Sequence, residues 1–343
     1  MTKAVHYRGI DGLRTIAALG IIAVHVAKNS GYNFQGFIYT NVICKLEVFV
    51  GLFFAISGFA MFCGYYTKIK NNEISVNDFY LKRYKKIFPF FSVLVLCDAW
   101  FSWSGIATLA EAFADLTLVF AFLPAPSISV VGVGWTLGVI FAFYLLFPFF
   151  VFITWDRKRA LFTLLIAEIY VLFGNQLLVV NEKLMLCNIL TWSTFFILGG
   201  IIYLYKEEVI SLAENNKKKM LIIGILSIVL WMFLPDRVGE VDLYILKILG
   251  CSGVWIVYAI GCDSKVLANK LTGFISSISL EIYLAHMFVY RLIIKIFGEI
   301  VLNKDSVISF LCIYVLTILG TIIFSVLFKK ITEFLSKKKK GID

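Results

Sequence analysis

The chain has 343 residues, of which 60% are hydrophobic and 16% are charged. This composition excludes an ordinary soluble domain and indicates an integral membrane protein with several spans. The net charge of +10 is interpreted through the positions of the basic residues, not as a sign of nucleic-acid binding. The seven cysteines are scattered and form no C-x-x-C pair, so we expect buried thiols, not disulfides or metal ligands.

Apolar segments long enough to cross a bilayer follow one another along the chain. We predict an all-α, polytopic membrane helix bundle that forms a single domain over residues 1–343. The predicted spans are 10–28, 46–66, 87–104, 134–154, 160–180, 186–205, 219–235, 243–262, 274–297 and 306–328. The segment 106–123 is apolar but short and carries two acids, so we predict that it lies at the outer side or re-enters the membrane.

The basic residues support ten spans. If 106–123 does not cross, both termini and most of the 32 basic residues fall on one side. Because cytoplasmic loops carry an excess of Lys and Arg, that side is predicted to be the cytoplasm. If 106–123 did cross, the basic clusters at 157–159 and 217–219 would lie outside.

The first predicted span carries two ionisable residues, Arg14 near its start and His25 towards its end. In an α-helix this spacing corresponds to roughly 16 Å and to an angular offset of about 20°, so both lie on one face. Each residue alone has a structural explanation, Arg as an interface anchor and His as an interhelical hydrogen-bonding group. An ionisable pair on one face inside the membrane favours a functional site, because burying such groups in lipid is costly.

This first span resembles a known signature. Gly12-Leu13-Arg14, with His25 following, is similar to the first-helix motif of the membrane acyltransferase-3 family, multi-span O-acyltransferases that modify bacterial glycans. Further similar elements are Phe53-Phe54 with Ser57-Gly58-Phe59, Arg83 with Lys86 and Pro89, Trp135 with Tyr144 and Pro148, and Ser279 with Tyr283 and His286. Each motif alone is weak, but their order over nearly the whole chain is typical of the family.

The basic stretch with Lys82, Arg83 and Lys86 has two explanations. It can be a positive-inside anchor before a span, or a cytoplasmic patch that binds the phosphates of acyl-CoA. The resemblance assigns Arg83 and Lys86 to the family's Arg-rich motif. Lys86 stands where Arg is usual, which keeps the charge and loses the bidentate geometry.

The second span contains two candidate residues. Ser57 matches the family motif, and its small side chain is also typical of close helix packing. Gly51 occupies a position where many family members carry an acid. Glu47 lies one turn earlier on nearly the same face, where it can either orient the imidazole of His25 or lie in the headgroup region.

The later motifs contain four candidates. The resemblance implies that Trp135 and Tyr144 contact substrate. The alternative explanation is that they belong to an aromatic belt at the membrane interface. The family usually has Glu where this chain has Ile140. The reaction must therefore use another acid or proceed without one. Glu281 and His286 lie inside a late span and are expected to face the bundle interior or a water-filled cavity. His286 is either an acceptor-side ligand or a satisfied interhelical histidine.

The resemblance implies transfer of an acyl group, by family habit acetyl, from cytoplasmic acyl-CoA to a hydroxyl of a cell-surface polysaccharide or lipid-linked sugar. It implies a bacterial cytoplasmic membrane with its lipids, and acyl-CoA as donor substrate in place of a permanently bound cofactor. Arg14 is expected to meet CoA phosphates or to polarise the thioester. His25 is expected to act as a general base or to carry the acyl group itself.

Other functions find less support. The sequence has no zinc-ligand spacing, no glycine-rich phosphate loop, no nucleophile elbow and no nucleic-acid module. A transporter or flippase for glycans or lipids would also bury charges, but it often shows inverted repeats, and no repeat is evident here. A non-enzymatic scaffold leaves the ionisable residues of the spans unexplained.

Overall fold

The structure is a computed structural model that describes residues 5–118, 130–177, 189–239 and 241–340. Its helices are α1 (Arg8–Ser30), α2 (Phe49–Met61), α3 (Thr67–Lys70), α4 (Val76–Phe101), α5 (Ile106–Thr117), α6 (Trp135–Ile153), α7 (Arg157–Leu177), α8 (Ile189–Leu204), α9 (Lys206–Asn215), α10 (Lys217–Phe233), α11 (Tyr244–Gly261), α12 (Lys270–Ser277), α13 (Ser279–Val301) and α14 (Val307–Lys340). Short 3₁₀ and π turns cover Ile38–Val42, Ile43–Val48, Phe62–Tyr66 and Gly132–Gly134. Two short strands, β1 (Arg237–Val238) and β2 (Val241–Asp242), form an antiparallel hairpin.

The structure confirms the prediction of an all-α fold, since the described residues are almost entirely helical apart from one short hairpin and the connecting segments. Five helical segments are long and apolar enough to cross a membrane, namely Arg8–Ser30, Ile38–Lys70, Gly132–Ile153, Tyr244–Gly261 and Val307–Thr332. The pair α8 and α9, bent by 76° at its break, would make a sixth if it formed one span. The number of ten spans and the cytoplasmic side of the termini stay predictions.

Two boundaries differ from the sequence interpretation. The third predicted span, 87–104, begins earlier in the structure, because α4 starts at Val76 and includes the basic stretch. Ser75 caps this helix by accepting a hydrogen bond from the amide of Asp78 at 3.0 Å, which satisfies an end group of the helix. The segment predicted at 106–123 forms a helix only to Thr117, and residues 119–123 lie outside the described residues.

The predicted late span 274–297 is divided into α12 and α13. The break falls at Ile278, whose φ of −124° and ψ of 17° are not helical. The Oγ of Ser276, just before the break, donates a hydrogen bond to Asp11 in α1 at 2.8 Å. The end of α12 is therefore attached to the first helix.

Helix α1 is the centre of the bundle and packs against α2, α11, α12, α13 and α14. Thr15 Oγ1 donates to the carbonyl oxygen of Thr272 at 3.1 Å. A β-carbon at Gly12 would lie 2.5 Å from the backbone of Leu267, so only glycine permits this approach. Both contacts join α1 to α12 and the segment just before it, at residues on either side of Arg14 in the sequence.

A buried ion pair joins α4 to α13. Asp98 is fully buried and pairs with Arg291. Its second carboxylate oxygen accepts a hydrogen bond from the amide of Val131 at 2.6 Å. A buried carboxylate needs such partners, because removal from water is costly for an unpaired charge.

Candidate active site

A polar cavity of about 180 Å³ lies where α1, α2, α4, α6, α12 and α13 meet. Its lining includes six residues that the sequence had suggested, namely Arg14, Ser57, Arg83, Lys86, Tyr144 and Glu281. Three of these are cations and one is an acid. The surplus of positive charge suits a ligand with several negative groups.

Hydroxyl groups supplement the charges. Thr136 of α6 and the serines at the break between α12 and α13, Ser276, Ser277 and Ser279, also line the cavity. The motif analysis assigned no role to these four hydroxyls. Because hydroxyls both donate and accept hydrogen bonds, they suit the phosphate oxygens and amides of an extended ligand.

Arg83 is held by two tyrosine rings. Its guanidinium carbon lies 4.6 Å from the ring centre of Tyr65 and 5.7 Å from that of Tyr144. One guanidinium nitrogen donates to the hydroxyl of Tyr65 at 2.5 Å, and another contacts the sulfur of Met61 at 3.6 Å. Cation–π contact and hydrogen bond together orient the planar group. Sequence reasoning missed Tyr65.

Two imidazoles form a second group deeper in the bundle. The rings of His25 on α1 and His286 on α13 have centroids 5.0 Å apart and are tilted by 44°. The structure therefore brings together two histidines that are far apart in the chain. His286 is buried, with 1% of its surface exposed.

The hydrogen bonding of His286 determines its tautomer. Its Nδ1 lies 2.6 Å from the carbonyl oxygen of Tyr283. A carbonyl only accepts, so Nδ1 carries the hydrogen and Nε2 has a free lone pair. Among the described residues Nε2 has no hydrogen-bond partner. A buried acceptor without a partner is unfavourable by about 1–3 kcal/mol. This nitrogen can therefore accept a hydrogen bond from a ligand or from the ring of His25.

Two aromatic rings in the cavity wall connect it to the imidazoles. Phe53 and Tyr283 both line the cavity, and their ring centroids are 5.5 Å apart at 65°. The ring of Tyr283 lies 5.9 Å from that of His286. Neither His25 nor His286 lines the cavity itself. Both rings belong to motifs that the sequence analysis quoted, but no role was assigned to them.

The remaining predicted residues lie elsewhere. The carboxylate of Glu47 pairs with the ammonium group of Lys28, and both side chains are half exposed. Lys82 is exposed on α4. Trp135 packs beside the cavity, with its ring 5.9 Å from Trp192 and 6.4 Å from Phe54. None of these three predicted residues lines the polar cavity.

Two of the positions where the sequence departs from the family pattern, Gly51 and Ile140, have a structural context. A β-carbon at Gly51 would lie 2.7 Å from the ring of Phe195 and 2.9 Å from Ile248, so no acidic side chain fits there without rearrangement. Ile140 lines the polar cavity, and Glu281 supplies a carboxylate to the same space. Across the described part of the chain, no group of three or more His, Cys, Asp or Glu side chains could hold a metal ion.

Comparison with known proteins connects this geometry to one family. The model of an acyltransferase domain family matches residues 7–329, nearly the whole chain, including both cavity cations of α4 and both histidines. No curated protein and no solved structure matches the chain significantly. The family match confirms the resemblance carried by the motifs. The chain therefore belongs to the membrane acyltransferase-3 family and is an acyltransferase of the membrane type.

Proposed function

We propose that the protein transfers an acetyl group from cytoplasmic acyl-CoA to a hydroxyl of a cell-surface polysaccharide or lipid-linked sugar. The observation that carries this proposal is the arrangement of cations, aromatic rings and imidazoles in the bundle. A cavity with three cations, Arg14, Arg83 and Lys86, lies near a pair of imidazoles, and Tyr283 both lines this cavity and contacts His286. The cations match a phosphorylated donor, and the imidazoles match the proton transfer that acylation of a hydroxyl requires.

The charged cavity supports acyl-CoA as donor. CoA carries several phosphate charges, and Arg and Lys bind phosphate strongly. Arg83 offers a planar guanidinium that Tyr65 holds in place. Arg14 is on α1, the helix that also carries His25. In this proposal Arg83 and Lys86 bind phosphates, and Arg14 contacts the donor nearer to the thioester.

His25 acts as general base in this proposal. The acceptor hydroxyl gives its proton to a ring nitrogen of His25, while its oxygen bonds to the thioester carbonyl carbon. The carbon–sulfur bond then breaks, and the proton passes to the CoA thiolate. Base catalysis of this kind contributes about 10²–10⁴-fold. The alternative, in which His25 first takes the acyl group, uses the same atoms in two steps.

His286 supports the base. Its free Nε2 is beside the ring of His25. An N–H of His25 that points to this nitrogen leaves the other nitrogen of His25 free to accept the hydroxyl proton. His286 thus takes the orienting place that a carboxylate has in other acyl-transfer sites, while Glu47 is engaged with Lys28.

The test offers radiolabelled acetyl-CoA to inverted membrane vesicles that contain the wild-type protein, Arg14→Ala or His25→Ala at matched expression. We expect label in glycan or lipid-linked sugar with wild type, and loss of at least about 100-fold with His25→Ala. Arg8→Ala is the matched control, because this side chain is exposed at the start of the chain. The control should retain wild-type labelling.

Two results would contradict the proposal. Wild-type levels of product from His25→Ala would exclude this residue as base or acyl carrier. Absence of label with every version, in vesicles that contain the acceptor, would favour a transporter of glycans or lipids.

A further inference from the structure

We propose that Phe53 and Tyr283 form an aromatic gate that restricts the transferred acyl group to about two carbons. This inference rests on the proposed function and adds the residues that determine which acyl group is accepted. It starts from two observations: both rings line the cationic cavity and contact each other, and Tyr283 also contacts His286.

The ring pair closes the path to the imidazoles. The two rings meet edge to face, at a centroid distance of 5.5 Å, which is ordinary contact for an aromatic pair. Tyr283 also contacts His286, and His286 contacts His25. A thioester that enters with its phosphates on Arg83 and Lys86 must therefore place its acyl group between these rings to reach His25.

The space beyond Phe53 is already filled. Phe53 packs against both the main core and a second hydrophobic cluster, and the second cluster contains Ala18 and Ile22 of α1 and Ile282 of α13. These three side chains are at most 1% exposed. Protein interiors of this kind are close-packed, and extra methylenes force side chains away from their preferred positions. An acetyl group needs only a small displacement of Phe53, whereas each further methylene must displace the cluster.

The two rings differ in how freely they can move. Tyr283 is buried, with 8% of its surface exposed, and its backbone carbonyl is engaged with His286. Phe53 is only half buried. We therefore assign the movable part of the gate to Phe53 and the fixed part to Tyr283.

The experiment measures transfer from acetyl-CoA, butyryl-CoA and octanoyl-CoA by wild-type, Phe53→Ala and Phe53→Leu proteins in vesicles. For wild type we expect acetyl transfer to exceed butyryl transfer. For Phe53→Ala we expect the butyryl-to-acetyl ratio to rise about tenfold or more, since a methylene in a tight pocket changes selectivity by about 10–200-fold. Phe53→Leu should give a smaller rise, and it keeps the measurement possible if the alanine variant does not accumulate.

Phe49→Ala is the matched control. Phe49 is on the same helix and is also half buried, but its ring lies against Gly20 and lines a different cavity. Its removal should leave the butyryl-to-acetyl ratio unchanged.

The outcomes separate the two proposals. If wild type transfers acetyl and butyryl equally, or if neither Phe53 variant changes the ratio more than Phe49→Ala does, the gate is wrong and the acyltransferase proposal stands. If wild type transfers no acyl group from any of the three donors, the proposed function fails, and the gate fails with it.

Discussion

Helix α1 separates two cavities of opposite character. On one side Arg14 faces the polar cavity of about 180 Å³. On the other side Leu13 and Ile16 face a larger cavity of about 330 Å³, which α2, α10 and α11 complete with Trp231, Trp255 and other apolar residues. Neighbouring residues of one helix turn thus line two cavities of different polarity.

The chemical character of a cavity therefore identifies the candidate site better than its volume does. Among the residues that the structure describes, the larger cavity has no charged side chain in its lining, so it offers no cation to a phosphate group. The smaller cavity contains four charged side chains and a set of hydroxyls. Inside a membrane, where charges are costly, such a concentration marks the functional side of the helix. Four substitutions test this contrast, and the one that should reduce activity most comes first.

Arg14→Ala should have the largest effect among the cavity changes. We expect acyl transfer to fall by at least about 100-fold, a loss comparable to that of a fixed donor that stabilises developing charge. The measurement is initial rate of label transfer at matched protein level. Activity within a few fold of wild type would show that the polar side of α1 is not the functional side.

Arg83→Lys should raise the KM for acyl-CoA by about tenfold while kcat changes little. Lys keeps the charge but lacks the planar fork that stacks on Tyr65 and Tyr144 and binds phosphate in two places. A tenfold change corresponds to about 1.4 kcal/mol. The matched control is Lys82→Arg, because Lys82 is exposed on the same helix and its replacement should leave KM unchanged. An equal rise in both variants would place the phosphates elsewhere.

Tyr65→Phe should raise the same KM by only about two- to tenfold. This change removes one hydrogen bond to Arg83, with a net contribution of about 0.5–1.5 kcal/mol, and retains the aromatic ring. Tyr65→Leu removes both and should have the larger effect. If the two variants behave alike, the hydroxyl has no part in holding Arg83.

Ile16→Ala should have the smallest effect. Ile16 is close to Arg14 in sequence, is 43% exposed and faces the apolar cavity. We expect both kcat and KM to stay within about twofold of wild type, because exposed substitutions away from polar networks change little. A strong loss of activity here would mean that the apolar cavity also takes part in the reaction.

The helices could largely be predicted from the sequence, and their interruptions could not. Apolar length alone marks the segments that become α1, α6 and α11. The break at Ile278 was missed because neither flanking residue is Gly or Pro. Just before this break Ser276 donates a hydrogen bond to Asp11 of another helix. No local sequence pattern predicts a contact between residues so far apart in the chain.

The same limit applies to the site. Arg14, Arg83 and His25 were predicted because charges and imidazoles in apolar surroundings stand out in any sequence. Tyr65 was not, because it lies in the π-helical turn Phe62–Tyr66. Such a turn shifts the helical phase, so α-helical spacing does not tell which way the residue faces. The gate formed by Phe53 and Tyr283 depends on how α2 and α13 cross. That crossing could not be predicted from the sequence.

The ion pair between Asp98 and Arg291 has a consequence for biosynthesis. The two partners are 193 residues apart in the chain, and at about 5–20 residues per second their synthesis is separated by about 10–40 s. During that interval the end of α4 carries a carboxylate whose partner does not yet exist. Because an unpaired charge in the bundle interior is costly, α4 can reach its final position only after α13 has been made. Packing of α4 against α13 is therefore a late event in assembly, and a chain truncated before Arg291 would leave Asp98 without this partner.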